Sequence, residues 1–118
     1  IYADANGAYD APTAIEVCRM LQAYGVAMLE EPCPFEEFEM LRQVTERADI
    51  LIAGGENDSA TEKWRWHCEN KGLDVVQPDP MYNGGILRCI EVQKMSEAAS
   101  LLYNPHFPRN NADTAPLL

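Results

Sequence analysis

Five times in this chain a short apolar run closes on an acid or a histidine, and stretches with helical periodicity fill the gaps between. The runs end at Asp4, Glu30, Glu56, Asp79 and His106, so the gaps are 26, 26, 23 and 27 residues. Few folds accommodate such a rhythm. Strand-like runs that alternate with helix-like stretches over short connections give parallel strands joined by crossover helices. The runs are apolar throughout rather than alternating, which predicts a parallel sheet covered on both faces by helices.

The spacing predicts a helix over 12–24, with Ile15, Cys18, Met20, Leu21 and Tyr24 recurring at helical intervals. Pro12 suits its first turn, Asp10 can cap it, and Gly25 stops it. Further helices are predicted over 35–48 (Phe35, Phe38, Leu41 and Val44 on one face), over 61–72 closed by Gly72, and over 86–100 after Asn83-Gly84-Gly85. The strands fall at 1–7, 26–32, 49–56, 73–79 and 101–107. Five parallel strands and four helices result, with no linker, low-complexity tract or second domain. One strand–helix unit of an eight-fold αβ barrel takes roughly 30 of about 250 residues, which matches the observed gaps. The fold class is therefore α/β, a partial barrel of the (βα)8 type.

Composition narrows the function. The net charge is −10 over 118 residues, with no cluster of Lys and Arg, which argues against a nucleic-acid surface. No apolar run approaches the roughly 20 residues of a membrane span. The four cysteines, Cys18, Cys33, Cys68 and Cys89, show no CxxC or Cys/His zinc spacing and read as reduced thiols of an intracellular, cytoplasmic protein. Cys18 and Cys89 fall in amphipathic stretches and read as small buried apolar residues. His67 sits inside a predicted helix and reads as structural. Trp64 and Trp66, two apart, cannot share one helix face, so one packs and the other lies at an edge.

The acids are the puzzle. In "AMLEEPCPF" a buried strand ends in two adjacent carboxylates. Parallel αβ barrels build their sites on the rim formed by the C-terminal strand ends, where Asp4, Glu30 and Glu56 would converge from three neighbouring strands. Three carboxylates need a cation to meet. Oxygen-only ligands point to Mg²⁺, with Mn²⁺ as the alternative. One Glu of the pair would then face the barrel axis, while the other points away or reaches a substrate or supporting partner. Taken singly, each residue has a plainer reading: a turn former in "DANG", a solvated Glu in "EEP", a loop histidine in "NPHF", a turn at Gly84-Gly85.

The ordered set "DANG", "EEP", "GGEN", "VVQPD" with "NGGI", and "NPH" resembles the enolase superfamily. It is most similar to the mandelate racemase and muconate lactonizing enzyme family, which includes acid-sugar dehydratases. The resemblance covers essentially the whole chain. It implies a (βα)7β barrel beside a capping domain, of which residues 1–118 would be the central portion, strands three to seven. It further implies Asp4, Glu30 and Glu56 as ligands of Mg²⁺, His106 as general acid or base, and Asp79 as the group that orients it. Asn6 and Glu31 would contact substrate. The implied reaction removes the proton alpha to a carboxylate through a stabilised enediolate, most often to dehydrate a sugar acid, otherwise to racemise or epimerise. A full-length homo-oligomer acting on a small carboxylate follows from the same resemblance. The Lys-x-Lys pair of the family's second strand is absent from this stretch.

Two readings from other classes compete. A five-stranded α/β chain with acids at strand ends also suits a phospho-receiver signalling module. That module needs an acidic pair after its first strand and a lysine after its fifth, where this chain has "DAN" and "NPHF". The other is an inactive barrel fragment that only packs in an assembly.

Overall fold

The structure is a computed structural model that describes residues 1–107. Its elements run β1 (Tyr2–Asp4), α1 (Ala11–Ala23), β2 (Met28–Glu30), α2 (Phe38–Thr45), β3 (Leu51–Gly54), α3 (Thr61–Asn70), β4 (Val75–Val76), α4 (Ile86–Ala98) and β5 (Leu102–Tyr103). The strands are parallel and lie side by side in chain order, β1-β2-β3-β4-β5. This order is that of a barrel wall. A receiver-type sheet reverses its strand order at a switch point, so that alternative is excluded.

Right-handed crossovers between sequential strands put every helix on the same side. Burial follows suit: Leu29, Ile52 and Val76 are covered, while Tyr2 and Leu102 on the other face remain 63% and 56% exposed. The expectation of helices on both faces is therefore corrected. The strands read as apolar on both faces because a barrel's inner face is also apolar, not because helices cover it.

The helices obey local rules with two exceptions. Asp10 caps α1, its Oδ1 accepting the Thr13 N–H at 2.9 Å, and Pro12 sits in the first turn. The second helix is shorter than its periodicity suggests, starting at Phe38 rather than 35. Pro34 and Glu37 form a turn first, closed by Glu37 N–H to the Pro34 carbonyl at 2.9 Å. The third helix ends on Lys71, which takes the left-handed conformation expected of Gly72. Gly72 is needed for space instead, since a Cβ there would lie 2.4 Å from Nδ1 of His67. The core has two parts. Leu29, Ile52 and Leu73 pack with α1 and α2 through Ala14, Cys18, Leu41 and Val44. Trp64, Val76 and Val92 join α3 to α4. Trp64 is fully buried and Trp66 partly so, packing edge-on against Phe38 at 4.5 Å. All four cysteines are free, with Cys18 and Cys89 buried.

Candidate active site

Strand register decides which rim residues meet. Asp4 and Glu30 are the last residues of β1 and β2 and stand opposite each other. Glu30 is level with Ala53 on β3, so Glu56 lies three residues further along. Its even spacing in the chain does not make it equivalent to Glu30. An odd offset would turn its side chain to the helix side, were the strand to continue. Instead β3 stops at Gly54, and Gly55 at φ +103° redirects the chain. On β4 and β5, Val76 pairs with Tyr103. Gln77 and Asn104 are then level, as are Asp79 and His106, and the His106 N–H reaches the Pro78 carbonyl at 3.2 Å. The rim climbs across the sheet, the stagger that closing a barrel requires.

Above these strand ends lies a cleft of about 610 Å³ lined by Asp4, Asn6, Glu30, Glu56 and His106, together with Tyr2, Gln77 and Asn104. Five of the seven residues singled out from sequence thus share one cavity. Asp79 is fully buried beside it. Glu31 does not line it: its residue takes φ +38°, and its carboxylate receives the Asn57 amide at 3.3 Å. A second hollow of about 460 Å³ lies at the opposite strand ends around Asp49 and Asp74, with no histidine and no third acid. Barrel chemistry sits at the other face.

His106 is held from both sides. Its Nδ1 lies 2.8 Å from Oδ2 of Asp79, and its Nε2 lies 3.1 Å from Oε2 of Glu56. Asp79 is itself fixed, its Oδ1 accepting the Met81 N–H at 2.6 Å and the Tyr82 N–H at 3.4 Å. An ionised carboxylate can only accept, so Nδ1 donates to Asp79, and Nε2, on the cleft side, donates to Glu56 when it too carries a proton. Asn6 holds Asp4 in the same manner, its backbone N–H and side-chain amide donating to the two carboxylate oxygens at 2.9 Å each.

Burial, more than any neighbour, pushes the Glu30 carboxyl above its ordinary value. Gln77 and His106 draw it down, while Asp4 and Glu56 push it up. Glu31 is pushed up to about 7, again chiefly by burial, then by Glu56. These like charges on one rim favour a cation. The side chains do not yet converge, however. Among the described residues no three His, Cys, Asp or Glu groups stand close enough to hold an ion, and the Glu56 carboxylate faces His106.

Sequence reasoning missed Gln77 and Asn104. Each lies two residues before a rim residue, Asp79 and His106, and the period of a strand puts it on the same face. That signal was readable. The partnership of Asn57 with Glu31 carried no signal, since it depends on two loops meeting.

A parallel αβ barrel wall with a histidine, its aspartate and three further carboxylates at the C-terminal rim defines the class. The chain belongs to the enolase C-terminal domain-like family, whose profile matches residues 1–117, within the mandelate racemase and muconate lactonizing enzyme group. A D-galactonate dehydratase of Ralstonia nicotianae is 31% identical over 105 residues, 89% of this chain and 28% of that protein. A structure from Roseobacter denitrificans, provisionally assigned as a racemase, superposes with a TM-score of 0.92 at 41% identity, covering 96% of this chain and 31% of that one. The L-talarate dehydratase of a Polaromonas species, solved with Mg and L-glucarate, gives 0.84 at 28% identity, over 90% and 30%. The chain thus spans under a third of the length of these relatives. Among the described residues no helix is long and apolar enough to cross a membrane.

Proposed function

We propose that the protein to which this chain belongs removes the proton alpha to a carboxylate with the help of Mg²⁺, and that the outcome is dehydration of a sugar acid. Residues 1–118 then supply strands three to seven of the barrel, and the remaining strands and the capping domain lie elsewhere in that protein. One observation carries the reading: the His106 imidazole, fixed at Nδ1 by a buried Asp79, turns Nε2 into a cleft rimmed by Asp4, Glu30 and Glu56.

The donor set fits Mg²⁺. Two carboxylates at neighbouring strand ends and a third on the loop after β3 are hard oxygen ligands, and the charge of Asp4 and Glu56 felt by Glu30 is the repulsion that a divalent ion relieves. Asp4, Glu30 and Glu56 would hold it. When bound, the cation stabilises the negative charge that develops on the substrate carboxylate as the proton leaves. The protein's own groups do the rest. Asn6 keeps both oxygens of Asp4 aligned. Asp79 holds Nδ1, so Nε2 of His106, on the cleft side, is the atom that takes a proton from the substrate or delivers one to a departing hydroxyl. The amides of Gln77 and Asn104 and the phenol of Tyr2 supply uncharged hydrogen-bonding groups suited to the hydroxyls of a polyol acid.

A racemase reading has its own support in the Roseobacter likeness. The two differ in what reaches solvent: a dehydratase yields a keto acid, a racemase only exchange and inversion. The test is turnover against a panel of sugar acids in heavy water, in the full-length protein. His106→Asn keeps a polar group of similar size and removes the titrating nitrogen. Turnover is expected to fall by roughly 10²–10⁴-fold with Mg²⁺ affinity kept. Undiminished turnover would make the imidazole structural.

A further inference from the structure

A largely buried ammonium group lies outside the cleft, between the two loops that leave the acidic rim. Lys63, in the first turn of α3, has a side chain only 16% exposed, and its Nζ lies 2.5 Å from Oδ1 of Asp58. It also donates to the main-chain carbonyl of Phe35. It stands over the Phe35 ring, 4.7 Å from the centroid, with the Phe38 ring 5.9 Å away. Phe35 belongs to the loop that follows Glu30 and Glu31, and Asp58 follows Glu56 by two residues. One cation thus ties both loops to a single helix.

The loop carrying Glu56 has little other choice of position. Asp58 is buried, and its backbone N–H closes the turn on the Gly55 carbonyl at 3.0 Å. Its second oxygen lies 3.5 Å from Nε2 of the fully buried His67, whose two ring nitrogens make no hydrogen bond. The contact from Lys63 to Asp58 Oδ1 is likewise a charge contact without hydrogen-bond alignment. Lys63 is therefore the group that meets Asp58 with an opposite charge. Removing one partner of such a pair leaves the other buried and uncompensated. A buried ion pair adds little stability over apolar residues of similar size; its better-attested use is to fix one arrangement. Here the arrangement is the separation of two loops that like charges drive apart.

We propose that Lys63 is a positioning residue which, through Asp58 and the Phe35 carbonyl, sets the distance between the Glu30 and Glu56 loops and so their joint approach to a divalent cation. The role rests on reading Asp4, Glu30 and Glu56 as the cation's ligands.

The experiment uses the full-length protein with Lys63→Met, Lys63→Arg and Asp58→Asn, and two measurements below the melting temperature. The first is amide hydrogen exchange, which needs no metal. Lys63→Met is expected to speed exchange at 33–37 and 55–59 and to leave 79–83 unchanged, and Asp58→Asn to loosen only 55–59. The second is calorimetric titration with Mg²⁺. Affinity is expected to fall about tenfold in Lys63→Met, the low end for groups that orient ligands, and to recover largely in Lys63→Arg, which keeps the charge. Should Lys63→Met fail to fold, Asp58→Asn tests the Glu56 side of the strut: unchanged exchange at 55–59, or wild-type Mg²⁺ affinity with faster exchange there, overturns the role. Unchanged exchange in both loops overturns the strut. Faster exchange with wild-type Mg²⁺ affinity overturns its role in positioning. A wild-type protein that binds no Mg²⁺ removes the ligand reading itself, and this role with it.

Discussion

Glu30 and Glu31 are neighbours in the chain, both buried, and the structure sends them to different places. Glu30 ends its strand opposite Asp4 and lines the cleft. Glu31 leaves in the left-handed region and takes the Asn57 amide. Holding a non-glycine residue there costs about 1–3 kcal/mol, and such strain tends to collect at functional sites. Asn6, at φ +46°, does the same at the end of β1. The two glutamates should therefore separate in a binding assay. Glu30→Gln and Glu56→Gln are expected to weaken calorimetric Mg²⁺ affinity by more than about 100-fold, and Glu31→Gln by about tenfold, since groups that only support a ligand typically cost about 10–100-fold. Loss in Glu31→Gln with wild-type affinity in Glu30→Gln would make Glu31, not Glu30, the ligand. At this scale the sequence was informative wherever chain spacing equals register. The 27 residues from Asp79 to His106 are one such case: Val75 and Leu102 pair across the same interval, so the histidine and its aspartate were bound to meet. Glu56 was placed on the right rim for a wrong reason, because its spacing concealed a three-residue climb that Gly55 then redirects.

Elements were legible where capping and periodicity agree, as in α1, and less so where a loop competes. The helix expected from 35 yields its first turn because Phe35 serves Lys63 with its carbonyl and ring, and no sequence pattern announces a contact 28 residues away. Gly55 is the hinge of the β3–α3 unit. It combines φ +103° with a Trp64 ring whose carbons would lie 2.4 and 2.6 Å from any Cβ. Gly55→Ala should cost at least the roughly 1–3 kcal/mol of a strained backbone and shift the denaturant midpoint downward; an unchanged midpoint would mean that Trp64 can retreat. At the opposite strand ends, Asp74 substitutes a side chain for a ladder carbonyl, its Oδ2 accepting the Ile52 N–H at 2.8 Å. Burial pushes its carboxyl above the ordinary 3.8, against the smaller downward pull of that bond and of Lys71. The folded state then holds this proton more tightly than the unfolded chain, so stability falls as pH rises from near 3.8 through the raised folded value. Asp74→Asn keeps the acceptor without the charge. Its melting temperature relative to wild type is expected to rise between pH 3.5 and pH 7, and a constant difference would remove the linkage.

At the scale of the whole molecule, the described residues form a wall without a closed barrel. β1 and β5 each have one neighbouring strand, so two edges present unpaired backbone groups, a template for pairing with other chains. The helix-free face adds to the liability. Tyr2, Leu51 and Leu102 are 63%, 39% and 56% exposed there, on the side that in a closed barrel meets other strands. The helix side, by contrast, is packed, with Ile52, Trp64, Leu73 and Val76 fully buried, so local structure should form readily even where the assembly is not stable. Residues 1–118 expressed alone are thus expected to show helical circular dichroism but to associate, with mass rising with concentration in sedimentation or light scattering and no sharp melt. Polar substitution on the open face, Tyr2→Ser with Leu102→Ser, should reduce that association while leaving the helical signal in place, since neither side chain packs under a helix. The competing outcome is a monomeric mass with one cooperative transition. That would mean the edges are protected within the chain itself, and the view of this stretch as one part of a larger barrel would lose its physical basis.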